Sequence, residues 1–583
     1  MTQRLGDITI SAPGYTLTLP SDRPYAYVDT PGGRVAELFL LSTADSTRGT
    51  DATTAVEEWQ RAESDTATVL TLTAGSTIWD RRVYRLRCTD DCIQYTASLE
   101  GSAALADVTY FGGYNAAHPR WGAGLFHSGH RFGRGFNPEP DAAGSLWFDP
   151  LTESTIDLGG GPLPGRRHWF FTPAPFCFAF EADEGWLGFG LEAEPGRHRF
   201  TEFRYRGGDG FRLTVPYDGR TRADGSYVLP AIGLTFAGSA YDALRLHVER
   251  LRFGMPKPSR DPARWWREPI FCGWGAQCHA AAANGYRPEN GPDAGAFMAT
   301  LPFAADFAGQ TNYEGWVDLL DRHGVRPGTV VIDDKWQDTY GDNGVDPRKW
   351  PDLPGFVARR HEAGQHVLLW IKAWDREGIP DAECIRTGAG RALTVDPTNP
   401  DFERRLRASV RRMISPHGYD ADGFKIDFTH RIPVGPGLRL HGDCWGLELM
   451  RLYLAIIHDE ARRSKPDALV IAHAPHPYLS DVVDMVRLND MLDLSLPRWQ
   501  HVDVITAMRR RADVARISRP DALIDTDNWP VPDRQTWRAY VRAQPEMGVP
   551  ALYFAGGIDL TQEPLGSDDY QLIRETWERY RLQ

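Results

Sequence analysis

The stretch DGFKIDFTH, Asp422 to His430, alternates apolar Phe424, Ile426 and Phe428 with Lys425 and Asp427. Side chains along a strand point alternately to two faces. The stretch therefore reads as a strand with one apolar face and one face that carries a lysine beside a carboxylate. A buried charge is costly unless it is paired or hydrogen-bonded. Two charges inside a hydrophobic strand need a reason. A lysine favours an ionised aspartate beside it, and a rigid, partly desolvated carboxylate is a nucleophile. The competing reading is a Lys–Asp pair that only ties the fold together.

Seven more apolar runs surround this one in the second half of the chain. They are PIFCGW (Pro269–Trp274), TVVIDD (Thr329–Asp334) and HVLLWIK (His366–Lys372) before it. ALVIAH (Ala468–His473), VDMVRLND (Val483–Asp490), ALIDTD (Ala522–Asp527) and ALYFAGG (Ala551–Gly557) follow it. Helix-like segments such as YEGWVDLLDRHG, ERRLRASVRRMIS and LELMRLYLAIIHDEARR lie between them. Alternating strands and helices in this number predict a (β/α)8 TIM barrel. The alternative is an open doubly wound sheet, which usually shows a glycine-rich turn after its first strand. Here that strand runs into GWGAQCHAAAANGYRPENG, read as a long irregular loop on a barrel rim.

The first 250 or so residues read differently. ATVLTLTAG, RVYRLRCTD, CIQYTASLEG, CFAFEADEGWLGFGLEAE and FRLTVPYDG are short β-rich runs broken by Gly, Asp and Pro, which predicts an antiparallel β-sandwich. AYDALRLHVERLRFG then predicts a linker helix near 240–253, with Leu244, Leu246, Val248 and Leu251 on its apolar side. MPKPSRDP, Pro-rich and charged, follows. A chain of 583 residues exceeds one ordinary core. The expected organisation is multidomain, with a sandwich over 1–255 and a barrel over 256–583.

Composition is that of an ordinary globular protein, 42% hydrophobic and 25% charged. A net charge of −13 argues against nucleic acid or an anionic membrane as partner. Arg509, Arg510 and Arg511 read as a solvated helix face. The run MTQRLGDITISAPG has no apolar core of a secretory signal and no stretch resembles a membrane span, so a cytoplasmic location is expected. Seven scattered cysteines read as free thiols, because no second Cys or His pair completes a zinc site with Cys88 and Cys92.

Barrel active sites lie at the C-terminal ends of the strands, and here the polar residues gather at those ends. Asp333 and Asp334 end the second run, Trp370 and Lys372 the third, and Lys425 and Asp427 the fourth. His473 ends the fifth, Arg487 and Asp490 the sixth, and Asp525 and Asp527 the seventh. Such an arrangement predicts carboxylates and cations around one pocket. His473 and His476 with Asp525 and Asp527 offer metal-ligand types, but the histidines straddle Pro475 without helical spacing, and no metal or other cofactor is expected.

Four stretches resemble glycoside hydrolase clan D, the α-galactosidases, retaining α-glucosidases and raffinose-synthase-like proteins of families twenty-seven, thirty-one and thirty-six. VVIDDKWQ looks like the clan's second strand, and GDNGVDPRKWPDLPGFVARRHEAGQHVLLWIKAW is similar to the segment entering the third. FKIDF looks like its Lys-x-Asp nucleophile strand, with Ile426 where an aromatic is frequent. DVVDMVRLND is similar to the region that ends in the acid/base aspartate. The sandwich ahead of the barrel fits family thirty-six best. With Gln583 just after the eighth helix, the C-terminal β-domain common in these families is not expected.

The resemblance implies a retaining α-glycoside hydrolase most like an α-galactosidase, with Asp427 as nucleophile and Asp490 as acid/base. Asp490 read structurally is a helix N-cap, and Asp527 is the reserve acid/base. Asp333 and Asp334 would accept from sugar hydroxyls, and Lys372, Lys425, His473 and Arg487 would donate. Trp274, Trp336 and Trp370 would wall the ring. The alternatives are an α-glucosidase, a raffinose-synthase-like transglycosylase, and a carbohydrate-binding protein without catalysis. The expected partner is an α-glycoside or oligosaccharide, and a homo-oligomer is left open.

Overall fold

The structure, a computed structural model, describes residues 6–583 apart from 117–121, 140–144, 153–155, 160–172, 195, 197, 209, 259–260, 289–290 and 495–501. Eight short strands pair in parallel. They are β1 (Ile270–Cys272), β2 (Thr329–Ile332), β3 (His366–Lys372), β4 (Gly423–Asp427), β5 (Leu469–Ala472), β6 (Met485–Arg487), β7 (Leu523–Asp525) and β8 (Ala551–Leu552). The order across the sheet is β7-β6-β5-β4-β3-β2-β1-β8. Asp525 lies in parallel beside Val549, and the Val549 N–H donates to the Ile524 carbonyl at 2.7 Å, which closes the ring. Strands such as TVVI and LVIA are buried along their whole length, as parallel strands covered on both faces must be. Gly423 begins β4 at a φ of +153°, and a Cβ there would stand 2.0 Å from the Leu469 carbonyl oxygen, so β4 and β5 approach closely only around a glycine.

The strands are shorter than the apolar runs. β2 stops at Ile332 and β6 at Arg487, which leaves Asp333, Asp334 and Asp490 on the loops just beyond. Backbone strain collects on the same rim. Lys335, Trp374, Phe428, Asn489 and Asp527 follow β2, β3, β4, β6 and β7 with φ between 53° and 70°, a left-handed conformation uncommon for side-chain-bearing residues.

Among the described residues up to about 240, the strands pair antiparallel, with one parallel exception where Ala52–Val56 meets Gly112–Asn115. A five-stranded sheet built on Ile8–Ala12, Tyr15–Leu19, Tyr25–Thr30 and Gly33–Phe39 packs on a 16-stranded sheet. Tyr15 stacks on Phe236 between them, with ring centroids 4.7 Å apart. The long strand Cys92–Tyr110 pairs with Arg81–Cys88 and with Arg212–Val228, and so staples the larger sheet.

Helix α1 (Ala240–Arg252) joins this region to the barrel. Its N-cap Ser239 accepts from the Asp242 N–H, and it buries Ala243, Leu244, His247, Val248 and Leu251. Leu246, expected on the buried stripe, is only half-buried, and His247 takes the inward position. Helix α2 (Trp274–Gly285) corrects another expectation: the segment after β1 is a helix, not an irregular loop. The barrel's outer helices include α3 (Gln310–Arg322), α4 (Leu353–Glu362), α5 (Pro400–Ile414), α6 (Gly446–Ser464), α7 (Val504–Ser518), α8 (Arg534–Met547) and α9 (Ser567–Arg581). α1 packs against α7 as well as against the sheet strands Cys177–Glu181 and Trp186–Glu192. Arg199 of the β-region pairs with Asp443 at 2.7 Å and with Glu448 at 3.0 Å. One hydrophobic core runs through both parts.

All seven cysteines are free thiols, and only Cys444 is not buried. Among the described residues no helix is long and apolar enough to cross a membrane. The expected boundary at MPKPSRDP falls partly outside the described residues, at 259–260.

Candidate active site

The charges of β4 do not pair with each other. Lys425 Nζ lies 2.7 Å from Asp333 Oδ2, and both side chains are buried. Asp333 Oδ2 also accepts from the Cys272 thiol at 3.0 Å, and Asp333 Oδ1 accepts from the Asp334 N–H at 2.9 Å. The backbone N–H of Asp333 donates to the Tyr313 hydroxyl at 2.8 Å. Burial opposes the lysine's charge, but Asp333, Cys272 and Asp427 together outweigh it and hold the ammonium protonated. Asp334 beside it is pushed up to about 6 by burial, against the pull of the Tyr340 hydroxyl that donates to it at 2.8 Å.

Asp427 is governed chiefly by Arg487. Its Oδ1 lies 3.4 Å from Arg487 Nη2 and 3.8 Å from His473 Nδ1, and accepts the Phe428 N–H at 2.9 Å. Its Oδ2 lies 3.4 Å from Trp370 Nε1. Burial alone would raise the carboxyl, but Arg487, then His473, then Lys425 hold it well below the usual carboxylate range. Asp490 shows the opposite balance. Burial, helped by Asp527 and Asp427, pushes it up to about 7 against the pull of Arg487. Its Oδ1 lies 3.8 Å from the same Arg487 Nη2. One guanidinium nitrogen thus lies near two carboxyls whose environments drive their protonation apart, an arrangement in which one can act as base and the other as acid. Arg487 is itself fixed by Asp527 at 3.0 Å and by the Asn489 side-chain carbonyl.

These groups line a cavity of about 210 Å³ at the C-terminal ends of the strands. Asp333, Asp334, Lys425, Asp427, Arg487 and Asp490 border it. Trp274 and Trp370 stand in its wall as expected, and Trp529 joins them with its ring 5.7 Å from that of Trp274 and nearly perpendicular to it. Trp336 does not. It is fully buried behind the wall, where its Nε1 donates to the Trp370 carbonyl at 2.9 Å. Lys372 is not in the lining; it lies 2.9 Å from Asp375 and 4.1 Å from the Tyr340 ring. His473 is buried behind Asp427 rather than in the lining. Asp527 is also buried, with Oδ1 accepting the Asn528 and Trp529 N–H groups, so the reserve acid/base is committed to its own turn. Asp490 is not a helix cap, because α7 starts at Val504 and is capped by Asp503. Among the described residues no cluster of His, Cys, Asp or Glu is grouped to hold a metal ion, and His476 packs against Phe176 and His198 instead.

Arg511 is the largest departure from the sequence reading. It is not on a solvated face but fully buried, with Nη1 donating to the Leu488, Asn489 and Asp490 carbonyls at 3.0, 3.3 and 2.6 Å. Those carbonyls form the turn that carries Asp490. The signal was present: Val504, Met508, Arg511, Ala515 and Ser518 follow one helical stripe, and all are buried. Tyr340 and Trp529, also unassigned from sequence, lie on loops, where periodicity carries no signal.

No family model matches the chain. Among curated proteins, the myogenesis-regulating glycosidase of Mus musculus is 23% identical over 205 residues, 32% of this chain and 25% of that protein. The chain therefore matches about a quarter of that relative's length. Among solved structures, a GH31-family sulfoquinovosidase from E. rectale, in complex with an aza-sugar inhibitor, superposes with a TM-score of 0.58 at 9% identity, covering 99% of this chain and 82% of that one. The α-galactosidase TtGalA from Thermus thermophilus, in complex with stachyose, gives 0.51 at 16% identity, over 89% and 99%. A GH36 α-galactosidase from Geobacillus stearothermophilus, in complex with raffinose, gives 0.53 at 12%, over 99% and 86%. The fold is that of the GH31 and GH36 glycosidases, in keeping with the clan D resemblance.

Proposed function

We propose that the protein is a retaining α-glycoside hydrolase in which Asp427 is the nucleophile and Asp490 the acid/base. The observation that carries this reading is the pair of carboxyls bridged by Arg487 on one cavity, one held ionised and the other held protonated near neutrality. Because both Oδ1 atoms contact the same nitrogen, they are no farther apart than the sum of 3.4 and 3.8 Å. That bound is compatible with the about 5–5.5 Å a retaining mechanism uses. Asp427 attacks the anomeric carbon while Asp490 gives its proton to the leaving oxygen. A covalent glycosyl-enzyme forms as the C–O bond breaks, and Asp490, now a base, takes a proton from the water that releases the sugar.

Trp274, Trp370 and Trp529 supply flat apolar walls, and Asp334 supplies an acceptor for a hydroxyl. The cavity volume of about 210 Å³ suits one ring better than a long chain, since pockets for larger ligands run to about 300–1,000 Å³. Among the described residues both lining cations, Lys425 and Arg487, are matched to carboxylates, which favours a neutral sugar. α-Galactosides are the first substrates to try, with α-glucosides and transfer to a sugar acceptor as the alternatives.

The test is a panel of aryl α-glycosides with wild type and Asp427→Asn, with the anomer of the product read by NMR. At least one glycoside is expected to be cleaved with retention, and Asp427→Asn to lose about 10³-fold or more in kcat. Equal turnover by the two proteins, or an inverted product, would overturn the assignment.

A further inference from the structure

The cavity's lining is of two kinds. Charged groups stand at the ends of β2, β4 and β6. Met298, Leu301, Leu492 and Leu494 also line it, with Asp493 between the last two leucines. Met298 ends the short helix Ala294–Met298 and is 39% exposed, and Leu301 opens the 3-10 turn Leu301–Phe307. Leu492 and Leu494 follow Asp490 by two and four residues on the loop after β6.

That adjacency has a chemical meaning, resting on the function proposed above. The acid must touch the oxygen that leaves, so the leaving group passes the side of the cavity that holds Asp490. The cavity-lining side chains next along the chain are Leu492, Asp493 and Leu494. A second sugar placed there would find one carboxylate and otherwise methyl and methylene groups that cannot partner its hydroxyls, and a polar group stripped of water without a partner is penalised. An alkyl or aryl group there would remove its own surface and that of the leucines and methionine from water.

We propose that the aglycone site of this protein is apolar, and that its substrate class is α-glycosides of hydrophobic alcohols or phenols rather than oligosaccharides. The bond cleaved lies between the anomeric carbon and the alcohol oxygen. That oxygen leaves with the proton of Asp490, and the hydrophobic alcohol is released before water enters.

The test compares methyl and octyl α-D-galactopyranosides and α-D-glucopyranosides, whose leaving alcohols are similar in acidity, with the α-1,6-linked galactosyl-glucose disaccharide. Hydrolysis is followed with the full chain, and binding is measured by calorimetry on Asp427→Asn. The octyl glycoside of the accepted sugar is expected to exceed the methyl glycoside by about ten-fold or more in kcat/KM and in affinity, because each buried methylene adds to binding. In the double variant Met298→Ser, Leu494→Ser, chosen because both side chains are partly exposed, that ratio is expected to collapse toward one. An octyl-to-methyl ratio near one in wild type, or a disaccharide preferred over the octyl glycoside, overturns the proposal while leaving the hydrolase assignment standing. Octyl-selective binding that the double variant loses, with no hydrolysis of any glycoside, overturns the hydrolase assignment and leaves the apolar site standing. No binding and no hydrolysis of any of them overturns both.

Discussion

At the scale of single residues, the proposed chemistry rests on two aspartates placed in opposite environments around Arg487. Asp490 is held protonated up to about pH 7, first by burial and then by its acidic neighbours. Asp427 is held ionised far into acid by Arg487, His473 and Lys425. The sign of the pH dependence follows. kcat/KM is expected to stay level through mildly acidic pH and to fall about ten-fold per unit above about pH 7, as Asp490 loses its proton. A pH–rate profile on an aryl α-glycoside checks this, and activity that rises through pH 8 would contradict the acid role of Asp490. That both aspartates lie on one cavity was legible in the sequence because each ends an apolar run, where a charge stands out. Their partners were not. Lys425 reads as the partner of Asp427 because they share a strand, yet it bonds Asp333, just beyond the end of β2 and two strands away. Trp336 looked like a pocket wall for the same reason of proximity in sequence. Which side of a loop a large aromatic faces is set by the packing around it, and spacing does not record that.

At the scale of elements, the loop after β6 is held from behind by α7. Arg511 gathers three successive carbonyls of the Leu488–Asp490 turn, and Asn489 within that turn has a φ of +65°. Such a turn keeps its shape only while its carbonyls are satisfied. Arg511→Met is expected to destabilise the protein by roughly 1–3 kcal/mol in denaturant titrations. It is also expected to lower kcat/KM and to move the alkaline limb of the pH profile upward, because a cation near Asp490 is lost. Arg511→Lys should recover part of both effects. An unchanged profile with unchanged kcat/KM would reduce Arg511 to a packing role. Elements with strong periodicity, such as α1, α5 and α6, could be read from sequence to within a few residues. α2 could not: WGAQCHAAAANG has a run of the best helix former but no amphipathic stripe, and its flanking glycines suggested a loop. The three-residue β6 was visible mainly through its place in the series of eight.

At the scale of the whole molecule, the β-region and the barrel are not independently finished. α1 lies between sheet and α7, Tyr478 packs on His198 with centroids 4.0 Å apart, and the apolar core is continuous. The full chain is expected to melt in one calorimetric transition. A fragment beginning at residue 256 is expected to lack a cooperative transition, because the faces covered by α1 and by His198 would meet water. A fragment that melts cooperatively and keeps full activity would contradict this. The sandwich-then-barrel order was legible from the change in texture near residue 255, since strand runs and strand–helix alternation differ in period. The contacts across the two parts were not, because they depend on surfaces that come together only in the folded chain.

The most direct measurement is to incubate the protein with activated 2-deoxy-2-fluoro α-glycosides, weigh the intact chain, and map the labelled peptide. The expected result is a mass gain of one fluorosugar carried on Asp427 within the DGFKIDFTH stretch. A label on any other carboxylate would contradict the central claim, as would a protein that hydrolyses α-glycosides yet never carries the label.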